Sequence, residues 1–211
     1  MNYSPILIVA GEPNSIFLEI FFKVFKKNII LSPLILITSS KLLKMQMIKL
    51  KFKKKIKLLD PLFLDKYILD NKSINLINVE YNPDKAFEKI STKSNKFIES
   101  SFELAFKIIK KYKILKFING PISKKSFLKK KFLGITEYIS KKFDAKNTCM
   151  LIYNKKISVC PITTHLPIKL VTKQISKKII INKVSLISDF YKQNFGFKPK
   201  IAILGLNPHC E

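Results

Sequence analysis

The sequence has no arginine and no tryptophan, and its 211 residues include only five glycines, three cysteines and two histidines. Arginine is the commonest bidentate reader of guanine, and no base-stacking module is recognisable, so no specific nucleic-acid partner is expected despite a net charge of +26. All 40 basic side chains are lysines, set among abundant Ile and Phe. That skew reads as an A/T-rich coding bias, so the charge reflects the genome and not a polyanionic ligand. Cys149, Cys160 and Cys210 are odd in number and form no CxxC, which argues against a disulfide framework or zinc ribbon and fits a reducing compartment. No apolar run reaches the roughly 18 residues of a membrane span, since Ile29 to Ile37 is broken by Ser32 and Pro33. Pro5 to Ala10 lacks a basic flank and runs into Gly11-Glu12-Pro13, so it reads as a first strand and not a signal peptide. A cytoplasmic protein with no membrane partner is expected. GxGxxG, Walker, GxSxG and HExxH motifs are absent, so ordinary Rossmann, P-loop, serine-hydrolase and zincin sites are unsupported.

What is present is a folding chain, 47% hydrophobic and 26% charged. Short β-rich runs alternate with longer segments of helical period, the pattern of an α/β fold with a largely parallel sheet. Strands are predicted at Ile6 to Ala10, Leu34 to Thr38, Ile74 to Val79, Ile114 to Ile118, Cys149 to Tyr153, Ile157 to Ile162 and Ile201 to Leu204. The clearest helix runs from Asn95 to Tyr112, where Phe97, Ile98, Ser101, Phe102, Ala105, Phe106, Ile109 and Tyr112 recur at three and four. A second, about Thr172 to Asn194, stops at Gly196, the usual left-handed cap. The basic run Lys51 to Lys57 reads as a solvated loop or edge strand. A composition shift near Gly120 to Lys131 divides the chain into a first lobe, 1–122, and a second, 123–211.

In a chain so poor in glycine each one marks a required geometry. Gly11 and Gly120 directly follow predicted strands, and ligands of open α/β sheets sit outside the carboxyl ends of strands. The segment Asn119 to Lys124, NGPISK, offers backbone amides, Ser123 and one cation, Lys124, for a phosphate or carboxylate. The two histidines occupy matching places: His165 ends ISVCPITTH and His209 ends IAILGLNPH, each after a predicted strand and a short polar turn. Both imidazoles are therefore expected on one edge of one sheet, close enough to share a divalent ion. A catalytic zinc needs three protein ligands and an open position, so a third must come from elsewhere. Cys210 is a poor candidate, because neighbouring strand-end side chains point apart.

Taken in order, these segments resemble the 4-hydroxythreonine-4-phosphate dehydrogenase family of pyridoxal phosphate biosynthesis. PILIVAGEPNSIFLEI resembles its opening strand and Gly-Asp-Pro turn, NGPISKKSF its Gly-Pro-x-x-Lys segment, and GITEYIS its Gly-His-Thr-Glu. SVCPITTHLPIKLV is similar to Val-Thr-Thr-His-x-Pro-Leu, and FGFKPKIAILGLNPHCE to the stretch ending Gly-Leu-Asn-Pro-His-Ala-Gly-Glu. The resemblance implies a two-lobed α/β/α fold, like that of the isocitrate and isopropylmalate dehydrogenases, with the C-terminal part absent. It implies a homodimer and a metal, zinc, magnesium or cobalt, held by three histidines, two of them His165 and His209. It also implies NAD or NADP as coenzyme and a small phosphorylated amino acid, 4-phosphooxy-threonine, as substrate. Thr136 corresponds to a substrate-contacting Thr, with an N-cap of a helix starting at Glu137 as its structural role, and Lys124 is a weaker substrate-binding candidate. Ile135 stands where the family has a substrate-contacting His, Glu12 replaces Asp, and Ser15 and Phe17 replace glycines. Family members continue beyond the position of Glu211, and the third histidine and much of the dinucleotide site fall in that stretch, so these 211 residues alone are expected not to turn over substrate. A family-fold relative with another substrate or no activity, and a basic nucleic-acid binder, are the competing readings.

Overall fold

A computed structural model describes residues 3–27, 29–128, 132 and 134–207. The chain divides into two compact units, Met1–Phe132 and Leu133–Glu211.

The first unit is built on five parallel strands: β1 (Ile6–Val9), β2 (Leu34–Thr38), β3 (Ile56–Leu58), β4 (Ile74–Asn78) and β5 (Lys116–Asn119), in the order β3-β4-β2-β1-β5. Ile6 pairs with Leu34 on one side and Lys116 on the other, and Ile35 pairs with Asn75. Every residue of β2 is buried, as are the first four of β4. Successive strand residues face opposite sides, so both faces of the central sheet are covered, which is why these strands read as unbroken apolar runs. Edge strand β3 ends the basic run, with Lys57 between Ile56 and Leu58, and charge on an edge discourages pairing with another chain.

Helices α1 (Phe17–Lys26), α2 (Ser40–Lys49) and α3 (Asn95–Tyr112) lie between the strands. Helix α1 buries Leu18, Phe21, Phe22 and Phe25, a three-and-four spacing that makes one apolar stripe. Helix α3 packs on β1 and β2 and occupies the whole predicted span. Its Phe102 is fully buried and meets the rings of Phe106, Phe117 and Phe127 at 5.9, 6.2 and 6.1 Å. Segment 123–128 belongs with this unit: Asn95 Nδ2 donates to the Ser126 carbonyl at 2.9 Å, and Lys124–Leu128 form one wide π-helical turn.

The second unit has α4 (Ile135–Lys142), α5 (Ile168–Gln174) and α6 (Lys177–Phe195). The three strands predicted here do not form among the described residues. Cys149 to Tyr153 and Ile157 to Ile162 reduce to one antiparallel bridge, Ile152 with Val159, and Ile201 to Leu204 is irregular. Apolar alternation makes a strand only where a neighbour supplies hydrogen bonds and cover, and Ile203 and Leu204 are 62% and 88% exposed. The helix predicted over Thr172 to Asn194 is two helices. Ser176 is extended and its side chain accepts from the Ile179 amide, so it caps α6 and interrupts the run, while Gly196 closes it at φ 76°. Ser176→Ala is expected to cost about 1 kcal/mol, read as a lower urea midpoint; an unchanged midpoint would remove the cap from the account.

Candidate functional site

The chain enters β1, turns to β2 on one side, and returns with β5 on the other, so the strand order reverses between β1 and β5. Ligands of such sheets bind at the carboxyl ends around that reversal. Two turns meet there, Gly11–Ser15 after β1 and Gly120–Ser123 after β5. The Gly120 amide donates to the Val9 carbonyl at 2.7 Å, and the Glu12 amide donates to the Pro121 carbonyl at 2.8 Å. These amides hold the turns to each other, which corrects the reading of Gly120 as part of an anion-binding amide cradle. The Ser123 hydroxyl accepts from the Ser126 amide at 3.2 Å and caps the π-helical turn, while Lys124 is exposed at its start.

Glu12 is the central polar group of this end, 2% exposed. Its carboxylate accepts from the Ser94 hydroxyl at 3.0 Å and from the Asn14 amide at 3.2 Å. A buried carboxylate without such donors would be costly. Gln46, fully buried on α2, donates through Nε2 to the carbonyls of Pro13 (2.9 Å) and Ala86 (2.7 Å), and Asn14 Oδ1 accepts from the Glu88 amide at 2.9 Å. The β1 turn is thus fastened from α2, from the segment before α3 and from the β5 turn. Burial first, then the carboxylates of Glu88 and Glu12, push the Tyr81 phenol above its ordinary range. A raised phenol pKa means that the unfolded chain releases the proton first. The associated stability is therefore intact below the ordinary phenol value of about 10 and is lost as pH climbs through the higher folded value. An alkaline titration by tyrosinate absorbance is expected to show a late-ionising phenol that Tyr81→Phe removes; a curve missing only an ordinary phenol would contradict this.

None of Ser94, Asn14, Tyr81 and Gln46 is a sequence candidate. Ser94 lies 82 positions from Glu12, a pairing no local pattern reveals. Gln46 did leave a signal, as the one polar residue in the buried set Leu42, Leu43, Gln46 and Met47 of α2.

In the second unit, Thr136 sits in the first turn of α4, half-exposed, and its carbonyl accepts from the Ser140 hydroxyl at 2.8 Å. It is not the helix cap. The helix begins at Ile135, one position before Thr136, and the cap position is Gly134. His165 is exposed and takes a left-handed backbone at φ 57°. It follows an irregular segment, not a strand end, so the strand-end argument for pairing it with His209 loses its premise. His209 and Cys210 lie outside the described residues. Among the described residues no group of three or more His, Cys, Asp or Glu could hold a metal, so those residues supply one imidazole and not a complete ligand set. Among them, too, no helix is long and apolar enough to cross a membrane.

The fold and the reversal site define the first unit as an open, parallel α/β domain of the doubly wound class. The match to known proteins narrows this. The chain belongs to the family described as pyridoxal phosphate biosynthetic protein PdxA, whose family model matches residues 30–211. It is 40% identical over 158 residues to a 4-hydroxythreonine-4-phosphate dehydrogenase of Sulfurihydrogenibium sp. (strain YO3AOP1), covering 70% of this chain and 49% of that protein. Its fold is similar to a solved Salmonella typhimurium protein, a candidate 4-hydroxythreonine-4-phosphate dehydrogenase, with TM-score 0.84 and 19% identity over 100% of this chain and 66% of that one. A Klebsiella pneumoniae 4-hydroxythreonine-4-phosphate dehydrogenase gives TM-score 0.82 at 17% identity, over 98% and 65%. The chain therefore spans about half the length of that curated relative and about two thirds of the solved ones.

Proposed function

We propose that the protein acts in pyridoxal phosphate biosynthesis as a 4-hydroxythreonine-4-phosphate dehydrogenase. It oxidises the 3-hydroxyl of 4-phosphooxy-L-threonine, with hydride passing to NAD or NADP and the hydroxyl proton to solvent. The product, 2-amino-3-oxo-4-phosphooxybutanoate, loses carbon dioxide to give 3-amino-2-oxopropyl phosphate. The observation that carries this reading is the family match over residues 30–211, which spans the segments NGPISK, GITE, TTHLP and GLNPH in their family order.

The residue roles follow from the same motifs. His165 and His209 are proposed as metal-binding histidines, with a further ligand outside the described residues. A divalent ion held there would supply Lewis-acid polarisation of the substrate oxygen. Thr136 is proposed to hydrogen-bond the substrate through its hydroxyl. The exposed Lys124 ammonium is proposed to neutralise phosphate charge. The working unit is proposed to be a homodimer.

Ile135 favours a second reading, a family member with another substrate, because it stands beside Thr136 where a hydrogen-bonding His is expected and can neither donate nor accept. Growth distinguishes the two. Extended to the family's full length, the chain is expected to restore growth without pyridoxine in a strain lacking its own 4-hydroxythreonine-4-phosphate dehydrogenase. Folded, expressed protein that leaves the strain dependent on pyridoxine would favour the second reading.

A further inference from the structure

The second unit places two thiols together in a way that the dehydrogenase reading does not use. Ile152 and Val159 exchange both backbone hydrogen bonds, at 2.8 and 3.0 Å, and make a short antiparallel hairpin. Opposed residues in such a pair share a face, and so do residues two apart on one strand. Carried one residue beyond that single bridge, the register sets residue 151 against residue 160, which puts Cys149 and Cys160 on one face as diagonal neighbours. Both are half-buried free thiols. The hairpin is fastened from outside: the Tyr191 hydroxyl of α6 donates to Ser158 Oγ at 2.9 Å, and Lys183 Nζ donates to the Thr148 carbonyl at 3.3 Å.

We propose that Cys149 and Cys160 form a reversible dithiol–disulfide site, closed by exchange with a low-molecular-weight disulfide and reopened by a low-molecular-weight thiol. The Cys149 thiolate attacks one sulfur of the small disulfide, which forms a mixed disulfide and releases one small thiolate. The Cys160 thiolate then attacks the Cys149 sulfur, closes the protein disulfide and releases the second. The pair loses two electrons and two protons, and the small disulfide is reduced to two thiols. Burial, and after it the neighbouring Cys149, push the Cys160 thiol up, against a smaller opposing pull from Lys183. A thiol held protonated is a poor first attacker, which makes Cys149 the point of entry and Cys160 the resolving thiol. The product would staple the hairpin a few residues before His165.

The test uses the full chain carrying Cys210→Ser, incubated at graded ratios of glutathione disulfide to glutathione, acid-quenched, alkylated and read by intact mass and peptide mapping. Both remaining thiols are expected to vanish together, with a mass loss of two hydrogens, no retained glutathione, and a crosslinked peptide joining 149 to 160. Adding Cys160→Ser is expected to trap glutathione on Cys149, whereas adding Cys149→Ser leaves Cys160 largely unmodified. Because a short segment can also close when unfolded, the same series is run in urea. The closure constant is expected to be larger in native buffer, on the order of tenfold or more, since the hairpin raises the effective concentration of one thiol at the other. Independent glutathionylation of both thiols, a disulfide between chains, or equal closure in native buffer and urea would each overturn the proposal.

Discussion

Gly120→Ala is expected to lower the stability of the first unit by about 3 kcal/mol or more, at the upper end of what overpacking costs. A Cβ at Gly120 would overlap the carbonyl oxygen of Ala10 and sit 2.7 Å from its carbon and 2.9 Å from the Phe17 ring. The Phe17 ring could turn away, but the Ala10 backbone cannot. It continues central strand β1, with its amide bonded to the Ile37 carbonyl at 3.2 Å and the Gly120 amide bonded to Val9 at 2.7 Å. The contact is reciprocal, because a Cβ on Gly11 would overlap the Pro121 carbonyl oxygen, and Gly11 is in addition left-handed at φ 74°. Relief would require the β1 and β5 turns to separate, breaking the Glu12–Pro121 bond and opening the end of the sheet where the site is built. Gly196→Ala is the control. It meets no neighbour, so only its left-handed backbone at φ 76° is strained, a cost of about 1 kcal/mol. Urea titrations by circular dichroism should rank Gly120→Ala well below Gly196→Ala; equal midpoints would show that the two turns are not locked together.

The second large effect is on activity. His165→Asn is expected to reduce turnover on the order of a hundredfold or more, the scale seen when a metal site is disturbed, while leaving the folding midpoint within about 0.5 kcal/mol, as for an exposed surface position. Asparagine is the informative replacement, because His165 is left-handed at φ 57° and Asn tolerates that backbone better than most residues. The loss can then be assigned to the imidazole and not to the turn. Metal content is the second readout, and it should fall in the variant in parallel with turnover. A variant that keeps both would remove His165 from the site.

Much of the first unit was legible because its strands are buried on both faces. Ile6, Leu34 and Ile74 each open a run too apolar for a loop, and the stripe through Phe97, Phe102 and Phe106 fixes α3. Strand β3 was only half legible, since edge position and lysine content make it look like solvated chain. The second unit departs from its sequence pattern for one physical reason. Alternating Ile and Val at 152, 157, 159, 201 and 203 carry the strand signal, but pairing is a property of neighbours, and there the described residues give only the 152–159 bridge. In the site, the scarcity of glycine located Gly11 and Gly120 correctly at one sheet edge. The polar fastening of the β1 turn by Ser94 and Gln46 was not visible, because those partners are brought together by topology and not by spacing.

The decisive measurement supplies the purified chain, extended to the family's full length, with 4-phosphooxy-L-threonine, a divalent metal, and NAD or NADP. Substrate-dependent formation of reduced nicotinamide is expected, together with release of carbon dioxide and 3-amino-2-oxopropyl phosphate, abolished by chelation and greatly reduced in His165→Asn. Folded protein that binds metal and nucleotide but leaves this substrate unoxidised would contradict it.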